Sequence, residues 1–159
     1  MTQQEHLNRI NEIIAEFCGK FGCRVSRQGE FCYLHYIDMV CYELDFGRIC
    51  RMNREFMASV KRWKPQIKLN VFVWSLLHEL GHHMTWDDFD DEEYDRIYKK
   101  KGRIMGTKAT LPYYRLPDEV AATKWAVEYA NTHKEEVKDF WEKVYAEANE
   151  LFILLRNGK

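Results

Sequence analysis

The chain reads as an α+β fold: an N-terminal helix, a small antiparallel-rich sheet of three to four strands, then helices to the end. Three observations predict this. Apolar residues recur at helical spacing near both termini, and the stretch between residues 23 and 53 alternates β-branched and aromatic runs with turn signals. The separations between those runs are too short for parallel crossovers. With 159 residues, 46% hydrophobic and 14% aromatic, a single domain over residues 1–159 is expected, and a disordered chain is excluded.

Taken in order, Leu7, Ile10, Ile13, Ile14 and Phe17 share one face of a helix from about Gln4 to Phe17, and Gly19 and Gly22 break the pattern. Strands are expected at Cys23–Arg27, Phe31–Ile37 and Val40–Phe46, with turns at Gln28-Gly29 and Asp38-Met39. A fourth extended stretch, Arg48–Asn53, follows Gly47, and a brief helix over Glu55–Trp63 stops before Pro65. The next helix, about Asn70 to Met84, has Asn70 as a plausible N-cap and no proline until Pro112. The polar run Asp87–Glu93, with Lys99-Lys100-Lys101 close behind, reads as a solvated loop or short charged helix, without the spacing of a calcium-binding loop. A helix opens at Pro117 and places Ala122, Trp125, Ala126 and Tyr129 on one face. Thr132-His133-Lys134-Glu135 reads as a capping box for a last helix, whose stripe is Val137, Phe140, Val144, Ala148, Leu151 and Leu155.

Composition narrows the function. Lys+Arg 24 against Asp+Glu 25 gives no general attraction to nucleic acid. No apolar run approaches the ~20 residues of a membrane span, and the polar start Met1–His6 is not a signal-peptide core. A cytoplasmic chain is expected, with no nucleic-acid or membrane partner. The cysteines Cys18, Cys23, Cys32, Cys41 and Cys50 are odd in number and form no C-x-x-C pair. They fit free thiols in a reducing compartment, the regular spacing reflecting strands that each bury one cysteine.

The most informative stretch is His78-Glu79-Leu80-Gly81-His82, an H-E-x-x-H pattern. On a helix, residues four apart lie on one face, so both imidazoles can bind one metal ion. Glu79 can reach a metal-activated water without ligating, the position of a general base. A catalytic zinc takes a third protein ligand. His83 points away from the His78–His82 face, and His6, His35 and His133 read as surface or satisfied core residues. Two carboxylate sources remain. One is the first turn of the Pro117 helix, where periodicity does not choose between Asp118 and Glu119. The other is Asp88, six residues after His82, but that arrangement needs a glycine where this chain has Thr85. Gly81, inside a helix, is expected either to admit a close neighbour or to be merely tolerated.

The segment Trp74–His82 resembles the active-site helix of the ImmA/IrrE (DUF955) family of small metallopeptidases. Glu119-Val120-Ala121-Ala122-Thr123-Lys124-Trp125-Ala126 is similar to that family's downstream E-x-x-A-N-x-F-A pattern, with Thr123 in place of the usual Asn. Ile49–Asn53 looks like the strand before the active-site helix. The resemblance covers about residues 48–130. It implies a gluzincin-like, zincin-like fold, His78, His82 and Glu119 as zinc ligands, Glu79 as catalytic base, and cleavage of a specific protein substrate such as a phage or mobile-element repressor. The missing Asn puts the support of the metal ligands in question. Tyr113, Tyr114 and Arg115 are candidates by position for stabilising an oxyanion, and Arg48–Asn53 for pairing with substrate backbone. The alternative is a non-catalytic metal-binding protein of the same fold that acts by binding a partner.

Overall fold

The computed structural model describes residues 1–28, 31–36, 40–44, 54–105 and 112–158. Helix α1, Gln3–Gly19, opens on a capping box: Glu5 N–H donates to Thr2 Oγ1 (3.2 Å) and Thr2 N–H to Glu5 Oε2 (2.8 Å). The chain then turns through Gly22, whose φ of +68° suits glycine, into the sheet. Strands β1 (Arg24–Gln28), β2 (Phe31–Tyr36) and β3 (Val40–Leu44) pair antiparallel in the order β1-β2-β3. Leu34 sits opposite both Val25 and Tyr42 and is fully buried, so β2 turns this side chain into the core.

The rest is helical: α2 (Arg54–Lys61), α3 (Val71–Met84), α4 (Asp91–Met105), α5 (Pro117–Thr132) and α6 (Lys134–Gly158), with short 3-10 turns at Trp86–Asp88 and Tyr113–Arg115. The architecture is α+β, mostly helical with a small antiparallel sheet. Helix α3 is the centre of the molecule. Phe72, Val73, Trp74, Leu76, Leu77 and Leu80 are all buried, so it is apolar nearly all round, as a core helix must be. Burying each large side chain contributes roughly 1.5–3 kcal/mol.

Helices α1 and α6 run antiparallel. His6 near the start of α1 meets Glu147 (2.8 Å), while Lys20 past its end meets Glu136 (3.0 Å), and Phe17 stacks on Phe140 between them. The last helix therefore covers the core with Val137, Phe140, Val144, Ala148 and Leu151. Among the described residues no helix is long and apolar enough to cross a membrane.

The expected boundaries of the first helix, α2 and α3, the expected start of α5 and the expected starts of the three strands agree with those observed to within about three residues, and the expected strand ends Ile37 and Phe46 lie outside the described residues. Three expectations need comment. The charged segment divides: Asp87–Asp90 lie in a 3-10 turn and loop as expected, but from Asp91 a helix, α4, runs for 15 residues, its apolar side held by Tyr94 and Ile97. The capping box at Thr132 does not form. Thr132 is the last residue of α5, its hydroxyl donating back to the Glu128 carbonyl (2.9 Å), and the residue that precedes α6 is His133, whose carbonyl accepts the Val137 N–H. The fourth extended stretch, Arg48–Asn53, with Cys50, lies outside the described residues, as do the side chains of Cys32 and Cys41. Cys18 and Cys23 are buried thiols that form no disulfide among the described residues.

Candidate metal centre

Asn70 starts the helix that carries the motif: its side chain accepts the Phe72 N–H at 2.8 Å. One turn apart near the far end, His78 and His82 lie on the same face, their rings 4.7 Å apart. Helix α5 crosses this face with unusual closeness at Gly81. A Cβ there would fall onto the Ala122 carbonyl oxygen and within 2.8 Å of the Ala122 Cα. Glycine lets the two backbones meet, and the meeting brings the first turn of α5 over the imidazoles.

That turn delivers Glu119. Its Oε1 lies 3.2 Å from His78 Nε2 and its Oε2 2.6 Å from His82 Nε2. One ligand atom from each of the three residues lies within 4.8 Å of the others, and all three residues are buried. The group could hold a metal ion. Two imidazole nitrogens and a carboxylate oxygen form a donor set that suits a divalent cation, and a carboxylate only 2% exposed requires a positive partner. Burial opposes its charge, yet the His82 and His78 imidazoles hold the Glu119 carboxyl well below the usual carboxylate range. Burial likewise opposes protonation of His82, but Glu119 overcomes it and raises the imidazole; at His78 burial prevails and lowers it.

The other candidate carboxylates fall elsewhere. Asp88 is exposed on the 3-10 turn after α3 and takes no part in the group. Asp118 is buried but is not among the three converging residues. Its Oδ2 accepts from Lys101 Nζ (2.6 Å), and its Oδ1 accepts the Glu119 backbone N–H (2.9 Å). Helix α5 starts at Pro117 with no capping side chain at Leu116, so Asp118 serves one of the unpaired N–H groups of the first turn.

Glu79 is buried beside this group, and burial, its largest influence, pushes its carboxyl up to about 8. The remaining histidines have other employment: His6 pairs with Glu147, His35 Nε2 lies 2.6 Å from Ser26 Oγ, His83 Nε2 lies 3.0 Å from the Phe21 carbonyl, and His133 is exposed at the α5–α6 junction.

Two residues join the centre that the sequence reading did not place there. Thr123 Oγ1 lies 2.9 Å from His78 Nδ1. A hydroxyl can accept from Nδ1–H, which leaves the Nε2 lone pair for a metal. The residue in the place of asparagine thus supplies a partner for the ligand. Lys101, from α4, reaches both Asp118 and Glu119 Oε2 (3.2 Å) with its side chain 12% exposed. Burial works against its charge, but Glu119 and Asp118 raise it above the ordinary lysine range. Its Nζ also sits 5.1 Å from the centroid of the Tyr113 ring. Tyr113 therefore adjoins the centre, whereas Tyr114 packs beside Phe56, whose ring stands edge-on to His78. Periodicity marked Lys101 faintly: it falls seven residues after Tyr94, on the stripe that includes Ile97. Comparison of the chain with protein-family models, with curated proteins and with solved structures finds no match.

Proposed function

We propose that this protein is a zinc-dependent endopeptidase of zincin-like fold, with His78, His82 and Glu119 as ligands and Glu79 as the catalytic base. The convergence of two imidazoles from one helical turn with a buried carboxylate from a later helix carries this reading. The likeness of the two helices to the ImmA/IrrE pattern supports it and suggests a specific protein, such as a phage or mobile-element regulator, as the substrate.

When bound, zinc supplies Lewis acidity to a peptide carbonyl and brings the pKa of a water down toward ~7. The chain's own groups do the rest. Glu79, adjacent in sequence to His78 and not a ligand, takes the proton from the attacking water and returns it to the leaving amine. Burial raises its carboxyl to about 8 in the metal-free protein, and the charge of a bound dication would lower it again, freeing the carboxylate to act as the base. Thr123 fixes the ring of His78, Asp118 and Lys101 fix Glu119, and the Gly81–Ala122 crossing sets the distance between the two ligand helices. Tyr113 stays protonated, because burial and then the charge of Glu119 raise its phenol, so it remains a hydrogen-bond donor for a developing oxyanion.

Cleavage of a casein or proteome-derived peptide mixture tests the reading. Wild-type protein loaded with zinc is expected to cut, and Glu79→Gln is expected to keep its zinc and lose about two or more orders of magnitude in rate. Undiminished biological effect in Glu79→Gln would mean a binding protein instead.

A further inference from the structure

A cavity of about 600 Å³ opens beside the ligand helices, between α2, the 3-10 turn at Tyr113–Arg115, and α5. Its walls include Ser59, Arg62, Trp63, Tyr114, Arg115 and Thr123. Its size lies within the range of small-ligand and side-chain sites. Two side chains link it to the metal centre. Thr123 lines the cavity and its hydroxyl lies 2.9 Å from His78 Nδ1, and Phe56 stands edge-on to His78 (5.4 Å) and tilted against the cavity residue Tyr114 (5.7 Å between centroids). The cavity is therefore one side-chain layer from the ligands.

Its charge is one-sided. Arg62 and Arg115 are exposed at its edge, and among the described residues neither guanidinium is paired with a carboxylate and none of the lining residues is acidic. The Arg62 guanidinium lies 5.7 Å and Lys124 Nζ 5.6 Å from the Trp63 ring, which concentrates further positive charge on the same wall. The chain as a whole carries a formal charge of −1, so the patch is not a by-product of general basicity.

We propose that this cavity is a specificity subsite for an acidic side chain, Asp or Glu, of a polypeptide substrate. The proposal rests on the peptidase reading for its context. Successive residues of an extended peptide are ~3.3 Å apart, so a side chain a residue or two from the bond held at the centre reaches the neighbouring cavity. There Arg62 and Arg115 present planar forks suited to a carboxylate, with Trp63, Tyr114 and Ser59 around its stem. Nucleic acid is the poorer fit, because the basic residues form a short patch rather than a stripe able to follow a backbone.

The test uses full-length protein carrying Glu79→Gln, loaded with zinc, and two fluorescein-labelled peptide pools. The pools differ only in having Asp/Glu or Asn/Gln at the central positions. The acidic pool is expected to bind about tenfold tighter or better, the scale of one charge-assisted pair, with the advantage shrinking at high salt. Adding Arg62→Glu and Arg115→Glu is expected to abolish the preference while leaving zinc content unchanged, and Arg62→Lys with Arg115→Lys to retain part of it. Equal binding of the two pools, a preference that survives the double charge reversal, or displacement of the acidic pool by a thymidine oligonucleotide would overturn the subsite. Failure of the wild-type protein to bind zinc or cut any peptide, with the arginine-dependent preference intact, would overturn the peptidase reading alone.

Discussion

Gly81 and Ala122 are in backbone contact: there is no room for a methyl group on the first without displacing the main chain of the second. The glycine in H-E-x-G-H is therefore a spacer that sets how near Glu119 comes to the two imidazoles. Gly81→Ala gains helix propensity yet must push α3 and α5 apart. It is expected to cost about 1–3 kcal/mol or more and to lower metal affinity, read as a drop in melting temperature and in retained zinc. A protein with unchanged zinc content and a raised melting temperature would contradict this.

Thr123 holds His78 through a single hydrogen bond of 2.9 Å. Thr123→Val keeps the shape and removes the bond, so zinc affinity is expected to fall by about 10–100-fold. Thr123→Ser, which keeps the hydroxyl, is expected to stay close to wild type. A competition titration with a chromophoric chelator measures both.

Lys101 neutralises Asp118 and Glu119 when no metal does so. In chelator-treated protein, Lys101→Met leaves a buried carboxylate pair with less compensation, and a loss on the order of 3 kcal/mol is expected. With zinc bound, a cation again faces Glu119. The rise in melting temperature on adding zinc is therefore expected to be larger in Lys101→Met than in wild type, and an equal or smaller rise would remove Lys101 from this role.

Burial raises Glu79 to about 8 in the folded, metal-free protein, above its value in the unfolded chain. The folded state then binds the extra proton between the two values, so this group's stabilising contribution is complete below the unfolded value and is lost as pH rises through about 8. Glu79→Gln cannot titrate. In the presence of chelator its melting temperature is expected to fall less than that of wild type between pH 5 and pH 8, roughly the window in which the wild-type carboxyl differs between states. Parallel curves for the two proteins would contradict the assignment.

How far the sequence could be read depended on whether a feature was local. The motif helix, its Asn70 cap and the Pro117 start follow from neighbouring residues, and all three are observed. The choice of Glu119 over Asp118 is not local. Both side chains are buried in the same first turn; Glu119 reaches the histidines, while Asp118 accepts from Lys101 and from the Glu119 N–H, a difference set by how α4 and α5 meet α3. Lys101 itself was hidden in a run of three lysines whose plainest reading is a solvated surface. Thr123 read as a departure from a pattern, although its hydroxyl occupies the position a supporting group needs. Thr132 failed as a cap because α5 extends through it, a matter of helix length that spacing of T-x-x-E does not reveal.

Metal analysis tests the central claim most directly. Protein purified without added metal, alongside His82→Ala, Glu119→Ala, Asp118→Ala and Asp88→Ala, is assayed for bound zinc by mass spectrometry. Stoichiometric zinc is expected in the wild type, loss of it in His82→Ala and Glu119→Ala, and its retention in Asp88→Ala and, more weakly held, in Asp118→Ala. Wild-type protein devoid of divalent metal even after zinc is supplied, or zinc that persists unchanged without Glu119, would contradict the three-ligand centre.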